Sequence, residues 1–225
     1  WDRVRLSVVI PAYNEIRSAE ALLRRVREVR LHLEVIVVDD GSTDGTRELL
    51  EELRDFAPDV FHVHCFPRNV GKSEAVRTGI LKALTTDAKY VGFWDADLAA
   101  PLEQILLLCA LLDRKPDVDV VLGSRVPLLG RRIERGTVRR LLGRLFAMVA
   151  STMLGVRIYD SQCGAKLFRV TSDLPLLFQE PFVSRWIFDV EIIARLARLR
   201  TDGGSGPLEH VVYEVPLDIW CDPGG

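Results

Sequence analysis

Two aspartates separated by one residue, Asp95 and Asp97, are the side chains of this sequence best suited to chemistry. They directly follow the apolar run YVGFW at 90–94, so they stand where a predicted strand ends. Two carboxylates on a turning backbone can approach one hard cation, directly or through its water shell, and that cation can bridge the diphosphate of a nucleotide. Aspartate is also common in surface turns, where it forms local hydrogen bonds. The pair alone leaves a metal site and an ordinary turn both open.

A second acidic loop, Asp39–Gly45, follows another apolar run. Capping of the next helix would explain Ser42, Thr43 and Asp44, since hydroxyl and carboxylate side chains bind the exposed N–H groups of a helix start. It does not explain Asp40. We expect the carboxylate of Asp40 to face the crevice at the end of the sheet, where it could accept the imide N–H of a uracil.

Both loops belong to an alternating pattern of short β-branched runs and helical segments, which predicts strand–helix–strand units and a largely parallel sheet. The predicted strands are 5–10, 34–38, 60–66, 90–94 and 118–122, and the predicted helices are 17–30, 44–55, 72–84 and 102–113. The final third departs from this alternation, with a helix over 137–154, a strand over 165–169, a helix over 184–199 and an extended run over 209–219. Ligands of such sheets bind beyond the carboxyl ends of the strands, so we expect the chemistry in the loops that follow them.

The glycine pattern argues against two common classes of nucleotide-binding protein. No G-x-G-x-x-G follows the first strand, where Pro11–Glu15 stands instead, so a dinucleotide-binding dehydrogenase is not expected. Gly71 and Lys72 resemble the end of a P-loop, but Phe66 stands where that loop has its first glycine. A P-loop NTPase is therefore not expected either.

The charge of the chain is unevenly distributed. Its 225 residues carry a net charge of −2 and are 48% hydrophobic and 28% charged, which is typical of a folded α/β protein and argues against a nucleic-acid-coating one. From Gly123 to Val170, ten basic residues stand against two acidic ones, a local charge of +8 that the remainder offsets with −10. The four cysteines fit neither a zinc knuckle nor a disulfide scaffold, which favours a reducing compartment.

The basic segment includes the predicted helix 137–154, whose apolar residues recur at helical spacing while arginines crowd its start. A cationic amphipathic helix suits the headgroup layer of an anionic membrane. An ordinary core-facing helix with a solvated basic face is the alternative. The longest apolar run, Ile105–Leu112, is far shorter than the roughly 20 residues that span a bilayer, so no spanning segment is expected in this sequence.

Eight motifs together resemble glycosyltransferase family 2, whose members have the GT-A fold. Five have the order and spacing of that family: PAYNE at 11–15, VVDDGSTDGT at 37–46, NVGKSEAVRTG at 69–79, DADL at 95–98 and GSR at 123–125. Three more resemble the branch of dolichyl-phosphate β-glucosyltransferases and their bacterial polyprenyl-phosphate relatives: YDSQCGAKLFR at 159–169, RWIFDVEI at 185–192 and the terminal WCDPGG. The resemblance implies one GT-A domain over 1–225, an α/β fold with a mostly parallel, Rossmann-like mixed sheet. Residues 1–122 would bind the nucleotide sugar and 123–225 the acceptor.

The resemblance also implies roles for individual residues. The nucleotide-sugar site would consist of Pro11, Ala12, Tyr13, Glu15, Asp40, Gly71, Lys72 and Asp95. The catalytic set would be Asp97, Arg125, Lys166 and Asp189. Asp40 would read the uracil, and Asp95 and Asp97 would hold Mg²⁺ or Mn²⁺ on the diphosphate. In the mannosyl-transferring branch a glutamine two places after the second aspartate also ligates the metal. Here that place is Ala99, which makes mannose a less expected donor sugar.

On the acceptor side, the resemblance favours Arg125 and Arg139 as clamps for a lipid phosphate. A hydroxyl acceptor would need a general base, for which Asp189 is the preferred residue. A lipid monophosphate, with a second pKa of about 6, is already largely dianionic near neutral pH and needs none. We therefore expect Asp189, with Lys166, to position the sugar or the acceptor. A surface ion pair between Asp189 and Arg185 is the alternative.

The resulting expectation is an inverting, metal-dependent transfer of a hexose, by preference glucose, from a UDP-sugar to a polyprenyl or dolichyl phosphate in protein glycosylation. The enzyme would work at the cytoplasmic side of a membrane, through peripheral contact by residues 131–154 or an anchor outside this chain, without a nucleic-acid partner. Two alternatives stay open. One is a family 2 enzyme that glycosylates a sugar hydroxyl in polysaccharide synthesis, and the other is a non-catalytic nucleotide-sugar-binding membrane scaffold.

Overall fold

The computed structural model describes residues 6–17, 21, 33–134, 137–204 and 206–221, without the side chains at 137–140, 142, 149 and 153. Its central sheet consists of β1 (Leu6–Ala12), β2 (Leu33–Asp39), β3 (Phe61–Cys65), β4 (Tyr90–Trp94), β5 (Val120–Ser124), β7 (Ala165–Arg169) and β8 (Val212–Pro216). A small parallel sheet pairs β6 (Arg132–Glu134) with β9 (Ile219–Cys221). The central strand order is β3-β2-β1-β4-β7-β5-β8, and β7 runs antiparallel to both of its neighbours while the other pairs are parallel.

Helices cover both faces of this sheet. They are α1 (Thr46–Phe56), α2 (Lys72–Ala83), α3 (Ile105–Arg114), α4 (Thr137–Leu154), α5 (Leu174–Phe178) and α6 (Phe188–Asp202), with short 3-10 turns at Leu102–Gln104 and Leu208–His210. Successive strand residues point to opposite faces, so Val8 packs in the core beneath α1 and α3, whereas Val9 packs in the core beneath α2, α5 and α6. Strands buried on both sides read as continuous apolar runs, which is why the sequence reveals them.

The predicted strands of the first half, and the strand predicted at 165–169, are confirmed with ends within two residues. The prediction of a helix from 184 is wrong at its start, because α6 begins at Phe188. The hydroxyl of Ser184 accepts the N–H groups of Trp186 at 3.3 Å and Ile187 at 2.9 Å, which makes this segment a turn. The extended run over 209–219 divides into a 3-10 turn, β8 and β9. The predicted helix 17–30 lies almost wholly outside the described residues.

Helix α4 has the predicted bounds and packs against α6. Its inward side chains include Ala147 and Ala150, which are buried. Large apolar side chains occupy another face and are exposed, namely Leu141 (69%), Leu145 (54%) and Met148 (60%). Part of the apolar surface of α4 therefore faces away from the core. No helix among the described residues is long and apolar enough to cross a bilayer.

Candidate active site

A cavity of about 550 Å³ opens at the carboxyl ends of β1, β2 and β4. Its walls are Pro11, Ala12, Tyr13, Glu15, Asp40, Asn69, Gly71, Lys72, Asp95, Ala96, Asp97 and Trp186. All eight residues predicted for the nucleotide-sugar site lie on these walls, together with Asp97 of the predicted catalytic set. Most of these residues lie together because β1, β2 and β4 are parallel and end at the same edge of the sheet.

Asp40 holds one wall of the cavity in place. Its carboxylate is buried and accepts the backbone N–H of Val70 at 2.7 Å and of Gly71 at 2.9 Å. Burial raises the pKa of Asp40, and these two N–H groups oppose part of the rise. Gly71 has a φ of +107°, and a Cβ there would lie 2.8 Å from Nε of Arg185. Asp40 thus fixes the loop over the cavity, while uracil recognition by Asp40 stays a prediction.

A second wall of the cavity carries the charged side chains of Lys72, Asp95 and Asp97. The ammonium of Lys72 lies 2.5 Å from Oδ1 of Asp95, and the N–H of Ala99 donates to Oδ1 of Asp97 at 3.0 Å. Lys72 is the first residue of α2, where the helix dipole disfavours a cation. Burial disfavours the charge of Lys72 as well, but the nearby carboxylates of Asp95, Asp189 and Asp97 outweigh it and raise the pKa of this lysine. Burial raises the pKa of Asp97.

These carboxylates fit a hard divalent cation. Gly164 makes room for one of them, since a Cβ on Gly164 would overlap the carboxylate of Asp95. The backbone N–H of Asp95 in turn donates to the carbonyl of Gly164 at 2.9 Å. Among the described residues, no group of three or more His, Cys, Asp and Glu is arranged to hold a metal. Two carboxylates would supply only part of the ligand set of such a cation.

Asp189 and Lys166 form a buried ion pair. Nζ of Lys166 donates to Oδ1 of Asp189 at 2.5 Å and to the carbonyl of Cys163 at 2.5 Å, with side chains only 1% and 9% exposed for lysine and aspartate. Burial raises the pKa of Asp189, and Lys166 opposes that rise. The alternative of a surface pair between Asp189 and Arg185 is wrong. Neither Asp189 nor Lys166 is among the described residues that line the cavity, but Asp189 is close enough to Lys72 and Asp95 for their charges to interact.

Arg125 lies outside this cavity, in a narrow groove that Arg144, Tyr159 and Asp160 also line. Its guanidinium donates to both carboxylate oxygens of Asp160, from Nε at 2.6 Å and from Nη2 at 2.7 Å. Its backbone N–H donates to the same carboxylate at 2.9 Å. The predicted partner Arg139 is a residue of α4 whose side chain lies outside the described part of the chain.

Sequence reasoning gave no role to several residues that the structure places at these sites, among them Trp186, Gly164 and Asp160. Trp186, in the half predicted to bind the acceptor, reaches the donor cavity with 72% of its surface exposed. Gly164 accommodates Asp95, and Asp160 holds Arg125. All three belong to motifs that carried the family resemblance, but their contacts span large sequence separations that no local pattern reveals.

Comparison with known proteins agrees with this architecture. Residues 7–173 match the sequence profile described as "Glycosyl transferase family 2". Proteins named dolichyl-phosphate beta-glucosyltransferase are 30% identical over 85% of this chain in Dictyostelium discoideum, 32% over all of it in Saccharomyces cerevisiae and 31% over 86% in Homo sapiens. The matches cover 62%, 69% and 64% of those proteins, so the chain spans less than two thirds of the length of two of them.

Solved structures show the same fold. Glucosyl-3-phosphoglycerate synthase from Mycobacterium tuberculosis, in complex with Mn²⁺ and UDP-glucose, aligns with a TM-score of 0.65 at 23% identity, over 96% of this chain and 70% of that one. The mannosyltransferase PcManGT from Pyrobaculum calidifontis aligns with a TM-score of 0.60 at 20% identity, over 98% and 57% of the two chains. At these identities the likeness concerns the fold, and it confirms the predicted GT-A architecture. On its sequence profile and its relatives, the chain belongs to glycosyl transferase family 2.

Proposed function

We propose that this chain is the catalytic domain of an inverting hexosyltransferase that moves glucose from UDP-glucose to a polyprenyl or dolichyl phosphate. One observation carries the proposal: a cavity walled by paired carboxylates and a lysine lies near a groove lined by Arg125 and Arg144, since Arg125 is close enough to Asp95 for their charges to interact. The first suits a nucleotide diphosphate with its cation, and the second suits a second anion. The names of the relatives, dolichyl-phosphate beta-glucosyltransferases, support this choice of acceptor and sugar.

On the donor side, Asp95 and Asp97 would hold Mg²⁺ or Mn²⁺, which when bound neutralises the charge of the departing diphosphate. The chain's own contribution is positioning. The loop fixed by Asp40 would close over the uridine, with Tyr13 on the facing wall, and the ammonium of Lys72 would bind the diphosphate. The structure of the Mycobacterium tuberculosis synthase with UDP-glucose and Mn²⁺ supports such a donor in this fold.

On the acceptor side, Arg125 and Arg139 would orient the lipid phosphate. One phosphate oxygen attacks C1 of the glucose from the face opposite to UDP, the C1–O bond to the diphosphate breaks, and UDP leaves with its electron pair. The α-linked donor thereby gives a β-linked product. No proton has to be removed from a dianionic phosphate, so a buried Asp189 already paired with Lys166 is compatible with this chemistry.

We also propose that the exposed apolar face of α4 lies against the cytoplasmic side of a membrane. Leu141, Leu145 and Met148 would enter the headgroup layer, and the basic residues of 131–154 would meet anionic lipids. Arg144, which lines the groove around Arg125, belongs to this helix. The acceptor phosphate would then reach the groove from the membrane surface.

The direct test is a transfer assay with purified protein reconstituted on vesicles, given UDP-glucose, Mg²⁺ and a polyprenyl phosphate. We expect glucose in the lipid phase as an acid-labile phosphodiester. Transfer only to a sugar hydroxyl would show that the acceptor assignment is wrong. Binding of UDP-glucose without transfer or slow hydrolysis would support the non-catalytic scaffold instead.

A further inference from the structure

A half-buried carboxylate that lies outside the donor cavity holds the loop around Asp160. This residue is Glu214 on the edge strand β8. Its Oε2 accepts the backbone N–H of Tyr159 at 2.8 Å, and its Oε1 accepts that of Asp160 at 2.6 Å. Burial raises the pKa of Glu214, and the two N–H groups oppose part of the rise. A carboxylate that binds two consecutive N–H groups fixes both peptide units at once.

The loop that Glu214 holds carries the partner of Arg125. Asp160 accepts three hydrogen bonds from Arg125, two from the guanidinium and one from the backbone. The other side of the guanidinium faces the ring of Trp220, with Cζ 5.5 Å from the ring centroid. Only 13% of the Arg125 side chain is exposed. Its orientation is therefore set by neighbours, and Asp160 makes the strongest of those contacts.

The contacts form one continuous chain from the edge of the sheet to the groove. Glu214 binds the backbone of 159–160, Asp160 binds Arg125, and Arg125 lines the groove beside Arg144. Arg125 is also close enough to Asp95 for their charges to interact. The chain of contacts thus ends between the groove and the charged wall of the donor cavity.

We propose that Glu214 is a positioning residue of the acceptor side, which fixes Asp160 so that Asp160 presents the guanidinium of Arg125 to a phosphate monoester. The inference rests on the proposed function, because that function assigns the acceptor phosphate to Arg125. Glu214 would touch no substrate and would act through the two N–H groups that it binds. A small reorientation of Arg125 would weaken its hold on a phosphate, since guanidinium–phosphate bonds are strongly directional.

The test is the variant Glu214→Gln, assayed on vesicles with UDP-glucose and a short-chain polyprenyl phosphate. The amide keeps the size of the side chain, but its NH₂ group cannot accept an N–H, so one of the two bonds is lost. We expect the KM for the lipid phosphate to rise about tenfold. The KM for UDP-glucose is expected to stay within about twofold of wild type. The rise of Tm on UDP binding is expected to equal that of wild type. Glu209→Gln, an exposed glutamate on the preceding turn, is the matched control and should behave as wild type.

A double-mutant cycle shows whether Glu214 acts through Arg125. If it does, Glu214→Gln adds less than about twofold to the acceptor KM of an Arg125→Lys protein, because the geometry that it protects is already lost. Effects that multiply independently would overturn the inference. So would equal increases in both KM values, which would show a general loss of structure. Should Glu214→Gln fold poorly, Glu214→Asp gives the same comparison with the charge retained.

The outcomes separate this inference from the proposed function. Wild-type protein that forms lipid-linked glucose, with an unchanged acceptor KM in Glu214→Gln, would overturn the role of Glu214 alone. Wild-type protein that forms none would overturn both, since Arg125 would then have no acceptor phosphate to meet.

Discussion

The cavity proposed for the donor and the groove proposed for the acceptor are built in different ways. Most cavity residues stand in loops directly after β1, β2 and β4, although Gly71 and Lys72 follow β3 and Trp186 comes from a distant segment. The groove instead depends on contacts between distant segments, such as Arg125 with Asp160 and Tyr159 with Glu214. The difference indicates that sheet topology gathers most of the cavity residues, whereas the groove depends on ion pairs and hydrogen bonds between distant segments.

The largest effect is expected on the donor side, where Asp95 and Asp97 together are proposed to hold the metal ion. Asp97→Asn removes one of two carboxylates from the proposed metal site, and we expect turnover to fall by about 10²- to 10³-fold. Transfer of labelled glucose to lipid phosphate measures this, with Mn²⁺ titration as a second readout. The matched control is Asp59→Asn, an exposed aspartate far from the cavity walls. Activity above about a third of wild type would show that the pair is an ordinary turn.

The buried ion pair between Lys166 and Asp189 is expected to affect the stability of the fold. Lys166→Met leaves Asp189 without its partner, which should lower the free energy of unfolding by about 3 kcal/mol, because an unpaired buried carboxylate is costly. Urea unfolding monitored by circular dichroism measures the change. Adding Asp189→Leu to the same protein should recover most of it. A loss below about 1 kcal/mol would mean that water reaches the pair.

On the acceptor side, Arg125→Lys keeps the charge but loses the planar, two-pronged contact with Asp160. We expect the acceptor KM to rise about tenfold, with little change in the KM for UDP-glucose. Steady-state kinetics with each substrate varied in turn distinguish the two constants. A larger rise in the KM for UDP-glucose than in the acceptor KM would contradict the proposal that the cavity binds the donor and the groove the acceptor.

The last effect is expected on membrane binding, at the proposed membrane surface. Leu145→Ser removes an exposed apolar side chain from α4, so Tm should hardly change, while binding to anionic vesicles should weaken roughly tenfold. Vesicle sedimentation measures the binding, and Phe56→Ser, an exposed apolar residue at the end of α1, is the control. Equal binding by wild type and Leu145→Ser would show that α4 does not face the membrane.

The same contrast explains what the sequence could predict. Asp95, Asp97 and Asp40 were identifiable because apolar strands precede them and topology brings strand ends together. Trp186, Gly164 and Glu214 were not, since their roles arise from contacts with residues that lie far away in the sequence. The environment of Asp189 was not settled either, because helical spacing allowed a surface pair with Arg185 as the alternative to the preferred positioning role with Lys166.

The central claim, that the acceptor is a phosphate, is tested most directly by comparing two acceptors of equal chain length, a polyprenyl phosphate and the corresponding polyprenol, under identical conditions with UDP-glucose. The account predicts that the phosphate is glucosylated at least about 10³-fold faster. The groove contains arginines that can bind a phosphate, whereas Asp189, the preferred base for an alcohol, is buried and paired with Lys166. Equal or faster glucosylation of the polyprenol would contradict it.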